Sequence, residues 1–112
     1  NKNGSLTQLS TIVKAVRKEN PNTVLMDAGD LIQDNSAELF QEMSPHPAML
    51  ALNHMGYDAW TLGNHEFDYT LKILDNITKE FKGAVLAGNM YSKDGKQNFK
   101  SYTIVEKGGV KI

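Results

Sequence analysis

Tyr57-Asp58-Ala59-Trp60-Thr61-Leu62 runs directly into Gly63-Asn64-His65-Glu66-Phe67-Asp68. The first six residues are an apolar, β-favouring run, and the next six open with a turn glycine and continue with oxygen and nitrogen donors. A second passage upstream has the same form: a short run from Asn22 to Met26 ends in Asp27-Ala28-Gly29-Asp30. Two strands that each end in Gly followed by a metal-type oxygen ligand bring those ligands to one edge of a parallel sheet. In open α/β sheets that edge, outside the carboxyl ends of the strands, is where ligands bind. A third run, Ala84-Val85-Leu86-Ala87, ends in Gly88-Asn89 and places Asn89 at the same edge.

The segments between these runs are read as helices. Ser5 caps a helix on which Leu6, Leu9, Ile12, Val13 and Val16 recur at helical spacing, and Asn20-Pro21-Asn22 ends it. Thr23-Val24-Leu25-Met26 is a continuous apolar strand of the kind buried in parallel sheets. Ala37, Leu39, Phe40 and Met43 suggest a short helix. Pro47 suits the first position of a helix running to about Met55, with Gly56 as its C-cap. Tyr69 to Lys82 reads as a helix with Leu71, Leu74, Ile77 and Phe81 inward. Ser101 to Glu106 alternates like a strand, Lys107-Gly108-Gly109 is a turn, and Val110-Lys111-Ile112 begins a returning strand. Strands alternating with helices predict an α/β sheet, mostly parallel, with crossover helices and a closing β-hairpin.

Composition narrows the chemistry. The 112 residues carry a net charge of −1, so bulk charge draws neither a nucleic-acid polymer nor an anionic membrane. No apolar run approaches the roughly 20 residues of a transmembrane helix. Cysteine is absent, which excludes disulfides, thiolate catalysis and zinc–thiolate sites.

The pairing of Gly29-Asp30 with Gly63-Asn64-His65-Glu66 resembles the calcineurin-like metallophosphoesterases. Phe67-Asp68 narrows the resemblance to the branch of 5′-nucleotidases and 2′,3′-cyclic-nucleotide 2′-phosphodiesterases. The resemblance implies the four-layer α/β/β/α sandwich of that family and hydrolysis of nucleotide phosphate esters with two divalent metal ions. Manganese, zinc, iron and cobalt all suit mixed His, Asn and Asp ligands. By the same resemblance, Asp30 matches the carboxylate that bridges the metals and Asn64 the neutral ligand of one of them. His65 matches the catalytic histidine, which steadies phosphoryl oxygens or protonates the leaving alcohol. Asp68, three residues on, matches its carboxylate partner; on a helical turn that spacing puts it beside the imidazole. A competing account of the same loop has Asn64 as a helix cap and Glu66 or Asp68 favouring a helix N-terminus; both accounts can hold together.

The family's first metal motif, an Asp and a His one residue apart, and its later His-x-His ligands have no counterpart in this sequence. Residues 1–112 are therefore expected to be a fragment of one metallophosphoesterase catalytic domain, lacking its first strand, its C-terminal half and the separate substrate-binding domain of the nucleotidases. The fragment by itself is expected to be inactive. The expected substrate is a small nucleotide, and the resemblance implies an extracytoplasmic location, periplasmic, secreted or wall-attached. The rival expectations are a catalytically degenerate binding module and a metallophosphodiesterase for a non-nucleotide substrate. Asp27 is read as satisfying local backbone, His46 as a helix-entry residue, His54 as a helix residue, Met43, Met49 and Met55 as core filler, and Trp60 as packing.

Overall fold

The computed structural model describes residues 4–34 and 38–112. They form two compact units, residues 25–103 and a smaller one made of the chain up to Val24 with Ile104–Ile112.

The larger unit holds a three-stranded parallel sheet in the order β1 (Met26–Asp27), β2 (Ala59–Thr61), β3 (Ala84–Leu86). Met26 pairs with Ala59 and Asp27 with Trp60, while Ala59, Trp60 and Thr61 pair with Ala84, Val85 and Leu86. Helix α2 (Pro47–Met55) lies between β1 and β2 in sequence, and α3 (Leu71–Glu80) between β2 and β3. These are the crossover connections that parallel pairing demands. α2 starts with Pro47 at its N-terminus, where the missing N–H costs nothing, and ends on left-handed Gly56 at φ 68°. Thr70 caps α3 through its hydroxyl, which accepts the Ile73 N–H.

The core of this unit is largely apolar, with Trp60 its largest fully buried side chain. Trp60, Ile32, Met49, Leu52 and Leu74 are essentially inaccessible. Phe81 meets the indole edge-on, with ring centroids 6.0 Å apart, a favoured aromatic geometry. Trp60 is thus packing, as its strand position suggested.

Several expected core positions lie outside. Met26 is exposed, on a strand at one edge of the described sheet. Met43 is exposed, whereas Met49 and Met55 on α2 are buried. Leu71 is exposed at the first turn of α3, and Leu74, Ile77 and Phe81 carry the inward face. The short helix suggested by Ala37, Leu39, Phe40 and Met43 falls partly on residues 35–37, outside the described residues; Leu39 and Phe40 are in a turn and Met43 has no regular structure.

In the smaller unit, α1 (Leu6–Glu19) opens with a reciprocal capping box: Ser5 Oγ accepts the Gln8 N–H, and Gln8 Oε1 accepts the Ser5 N–H. Of its apolar stripe only Val13 is buried; Leu6, Ile12 and Val16 are exposed. Strands β4 (Glu106–Lys107) and β5 (Val110–Lys111) form the antiparallel hairpin, closed by left-handed Gly108 and Gly109 and extended by mutual bonds between Val105 and Ile112. No described helix is long and apolar enough to cross a membrane.

Candidate active site

β1 ends at Asp27 and the chain turns at once. Asp27 Oδ1 accepts the Gly29 N–H at 3.0 Å, the local backbone role read from the sequence. Burial pushes the Asp27 carboxyl up from its ordinary range; the Gly29 bond opposes this, and the charge of Glu66 adds to it. Gly29 (φ 99°) and Asp30 (φ 57°) both lie in the left-handed region, which only glycine enters freely and Asp enters more readily than most residues.

β2 ends at Thr61, and its exit loop meets the first loop backbone to backbone. A Cβ on Gly29 would stand 2.4 Å from Gly63 N, and a Cβ on Gly63 would stand 2.3 Å from Asp30 Oδ1. Neither loop has room for a side chain at that crossing. The loops are then tied by hydrogen bonds. His65 N–H donates to Asp30 Oδ1 at 3.1 Å. Glu66, fully buried, accepts four more: its Oε2 takes the N–H groups of Asp30 (2.9 Å) and Gly63 (2.6 Å), and its Oε1 those of Leu31 (2.7 Å) and Ile32 (3.0 Å).

Asn64 does not cap a helix. It leads into a 3₁₀ turn, His65–Phe67, and its side chain makes no capping hydrogen bond. Three residues of 3₁₀ turn close by i→i+3 backbone bonds, Phe67 N–H to Asn64 and Asp68 N–H to His65, leaving the exposed amide of Asn64 for other use. Glu66 lies in the first turn of that 3₁₀ segment, and its carboxylate serves the Gly63 N–H of its own loop together with three N–H groups of the other. The same tight turn sets Asp68 Oδ2 2.7 Å from His65 Nδ1. The carboxylate only accepts, so Nδ1 carries the proton in this contact and Nε2 is the outward nitrogen. The hydrogen bond to Asp68 raises the His65 pKa above its ordinary value; desolvation, the next largest influence, opposes it, and the charges of Asp68, Asp30 and Asp34 add to the rise. The pair is open to solvent, at 43 % and 55 % side-chain exposure.

The structure therefore brings Asp30, Asn64, His65 and Asp68 together on two adjoining loops at the carboxyl edge of the sheet. Among the described residues, no three His, Cys, Asp or Glu side chains converge as a metal-binding group. Asp30 and Asn64 supply an anionic and a neutral oxygen on adjoining loops, a donor set that suits a divalent ion in kind. A cleft of about 440 Å³ beside them is lined by Asn64, Phe67, Ala87, Asn89 and Met90. It includes the asparagine that comes after the third strand, a residue given no role by the sequence.

The other histidines stand elsewhere. His46 caps α2: its Nδ1 accepts the Ala48 N–H at 3.1 Å, and its backbone N–H donates to Glu80 Oε2. His54 is exposed on the last turn of α2.

The model of the family described as "Calcineurin-like phosphoesterase" matches residues 2–111. The trifunctional nucleotide phosphoesterase protein YfkN of Bacillus subtilis is 34 % identical over 91 % of this chain and 8 % of its own length. The 2′,3′-cyclic-nucleotide 2′-phosphodiesterase/3′-nucleotidase of Haemophilus influenzae is 36 % identical over 93 % of this chain and 17 % of its own. The chain thus spans less than a fifth of the length of these two relatives. The crystal structure of calcineurin-like phosphoesterase YfkN from Bacillus subtilis superposes with a TM-score of 0.80 at 33 % identity, covering 92 % of this chain and 35 % of that one.

Proposed function

The chain belongs to the calcineurin-like phosphoesterase family, and on that premise we propose that it supplies one loop pair of a two-metal centre that hydrolyses nucleotide phosphate esters. The substrate is a 5′-nucleotide or a 2′,3′-cyclic nucleotide, in keeping with the names its relatives carry. Residues 1–112 are one part of that catalytic domain and of its four-layer sandwich, and the remaining ligands and the nucleoside-binding domain belong to the rest of the natural protein. Family resemblance supports a place of work outside the cytoplasm.

One observation carries the reading: the Gly-Asn-His-Glu loop is bonded directly to the Gly-Asp loop, through His65 N–H and Asp30 Oδ1. Asp30 and Asn64 would hold the metals. When bound, such ions polarise the phosphoryl group and lower the pKa of water. His65 does the proton work. Its Nδ1 is engaged by Asp68, which leaves Nε2 to face the ester and protonate the departing alcohol. Asp68 orients the ring and favours its protonated form, the state an acid needs.

The test is hydrolysis of bis(p-nitrophenyl) phosphate and 2′,3′-cyclic AMP by the natural protein, with Mn²⁺ and after chelation, beside His65→Ala. Metal-dependent turnover that falls in the variant is expected. A protein inert with every metal and nucleotide tried removes the reading and favours a non-catalytic binding module.

A further inference from the structure

We propose that Glu66 is a positioning residue of the metal centre: an internal anion that locks the Asp30 loop to the Asn64–His65 loop before any metal arrives. Its consequence for metal binding rests on the two-metal reading above; its role as a clamp does not.

A carboxylate has two oxygens and about four acceptor directions. In Glu66 all four are taken by backbone N–H groups, and the side chain is fully buried. It therefore has no oxygen left to ligate an ion and no path to substrate. The distribution of donors gives it another task. Oε2 bridges Asp30 N–H and Gly63 N–H, the first belonging to the expected bridging ligand and the second to the residue before Asn64. Sliding one loop along the other stretches a bond to the same atom. Oε1 takes the next two amides, Leu31 and Ile32. Three successive N–H groups turned to one side form an anion-binding nest, of the kind that elsewhere cradles a phosphate. Here the chain places its own carboxylate in it. The nest begins at Asp30, which sits in a left-handed conformation that a non-glycine residue seldom holds alone. The bonds to Glu66 hold it there, and with it the direction of its side chain.

Outer-shell groups of this kind typically change metal affinity about 10–100-fold when altered. In Glu66→Gln one end of the side chain becomes an NH₂ facing two N–H donors, so half of the lock is lost with almost no change of shape. The experiment is a Mn²⁺ titration of the natural protein, its Glu66→Gln variant and its Asp68→Asn variant, read by the magnetic resonance signal of free Mn²⁺. Native-state amide exchange of the metal-free wild type accompanies it. Glu66→Gln is expected to weaken Mn²⁺ binding about 10-fold or more, with activity recovering as Mn²⁺ is raised. Asp68→Asn is expected to bind Mn²⁺ like the wild type and not to recover. The amides of Asp30, Leu31, Ile32 and Gly63 are expected to exchange only on global unfolding. Unchanged Mn²⁺ affinity in Glu66→Gln overturns the proposal. If that variant does not fold, the wild-type exchange decides: fast, local exchange at those four amides overturns it. A wild type that takes up no Mn²⁺ sinks the two-metal reading instead, and the clamp is then judged on the exchange alone.

Discussion

Glu66 and Asp68 are two carboxylates two residues apart, and the fold gives them opposite environments. Glu66 is sealed from water and bonded to four backbone amides, three of them 34 to 36 residues away in sequence. Asp68 is more than half exposed and touches the imidazole three residues before it. The first can shape a site but cannot act on a substrate; the second can tune a reactive group but contributes little to holding the fold, since exposed ion pairs are worth about 0–1 kcal/mol. Side chains of the same chemistry thus divide into building and working parts by burial and by the distance of their partners in sequence.

The largest expected break in this contrast is Glu66→Ala. It leaves donors within the loop crossing without an acceptor, at about 1–3 kcal/mol for each one that stays buried. The sum takes up much of the stability of a small domain. Loss of a cooperative unfolding transition by circular dichroism is expected; a melting temperature like the wild type's would show that the clamp holds nothing. Next comes His65→Ala, which should lower kcat/KM by about 10²–10⁴-fold, the usual range for a general acid, while the thermal transition stays put. A large loss of stability there would put His65 on the building side.

Asp68→Asn is a finer probe. Removing the carboxylate keeps the shape of the side chain but takes away the main cause of the raised His65 pKa. A loss of kcat smaller than that of His65→Ala is expected, with KM and melting temperature little changed. Steady-state kinetics of the wild type, the two single variants and the double variant side by side would show whether Asp68 acts through His65: if it does, the double variant is no worse than His65→Ala alone.

The smallest effect concerns a buried histidine away from this edge. Burial lowers the His46 pKa from its ordinary value, against the raising influence of Glu80. The unfolded chain therefore takes up the proton first as pH falls. The contribution to stability is complete above the unfolded value of about 6.5 and is lost as pH drops below it toward the folded value. Protonation also removes Nδ1 as acceptor of the Ala48 N–H, the N-cap of α2, an interaction of about 1 kcal/mol. A melting temperature that falls from about pH 7.5 to about pH 5.5 is expected, with a flatter profile in His46→Asn. Equal profiles would mean that the cap does not sense the proton.

Much of this was legible in the sequence because it is local. The cap at Ser5, the Pro47 start and Gly56 end of one helix, and the pairing of His65 with Asp68 all depend on residues within one or a few helical turns, so residue type and spacing specify them. The parallel sheet was implied by short apolar runs separated by helical segments, and Gly29 and Gly63 marked where the chain had to turn. Other features were not legible because burial is a property of the packed molecule. The apolar stripe of α1 reads as a core face, yet Leu6, Ile12 and Val16 are exposed. Met43 and Met49 are indistinguishable as residue types, and only Met49 is inside.

The Gly63-to-Asp68 stretch marks the boundary between the two kinds of information. Residue types and an i, i+3 spacing were enough to bring His65 and Asp68 together, since one tight turn fixes both. They were not enough to show which amides Glu66 serves. Its amide partners Asp30, Leu31 and Ile32 belong to a loop more than thirty residues earlier, and they reach it only because β1 and β2 pair in parallel and end at the same edge of the sheet.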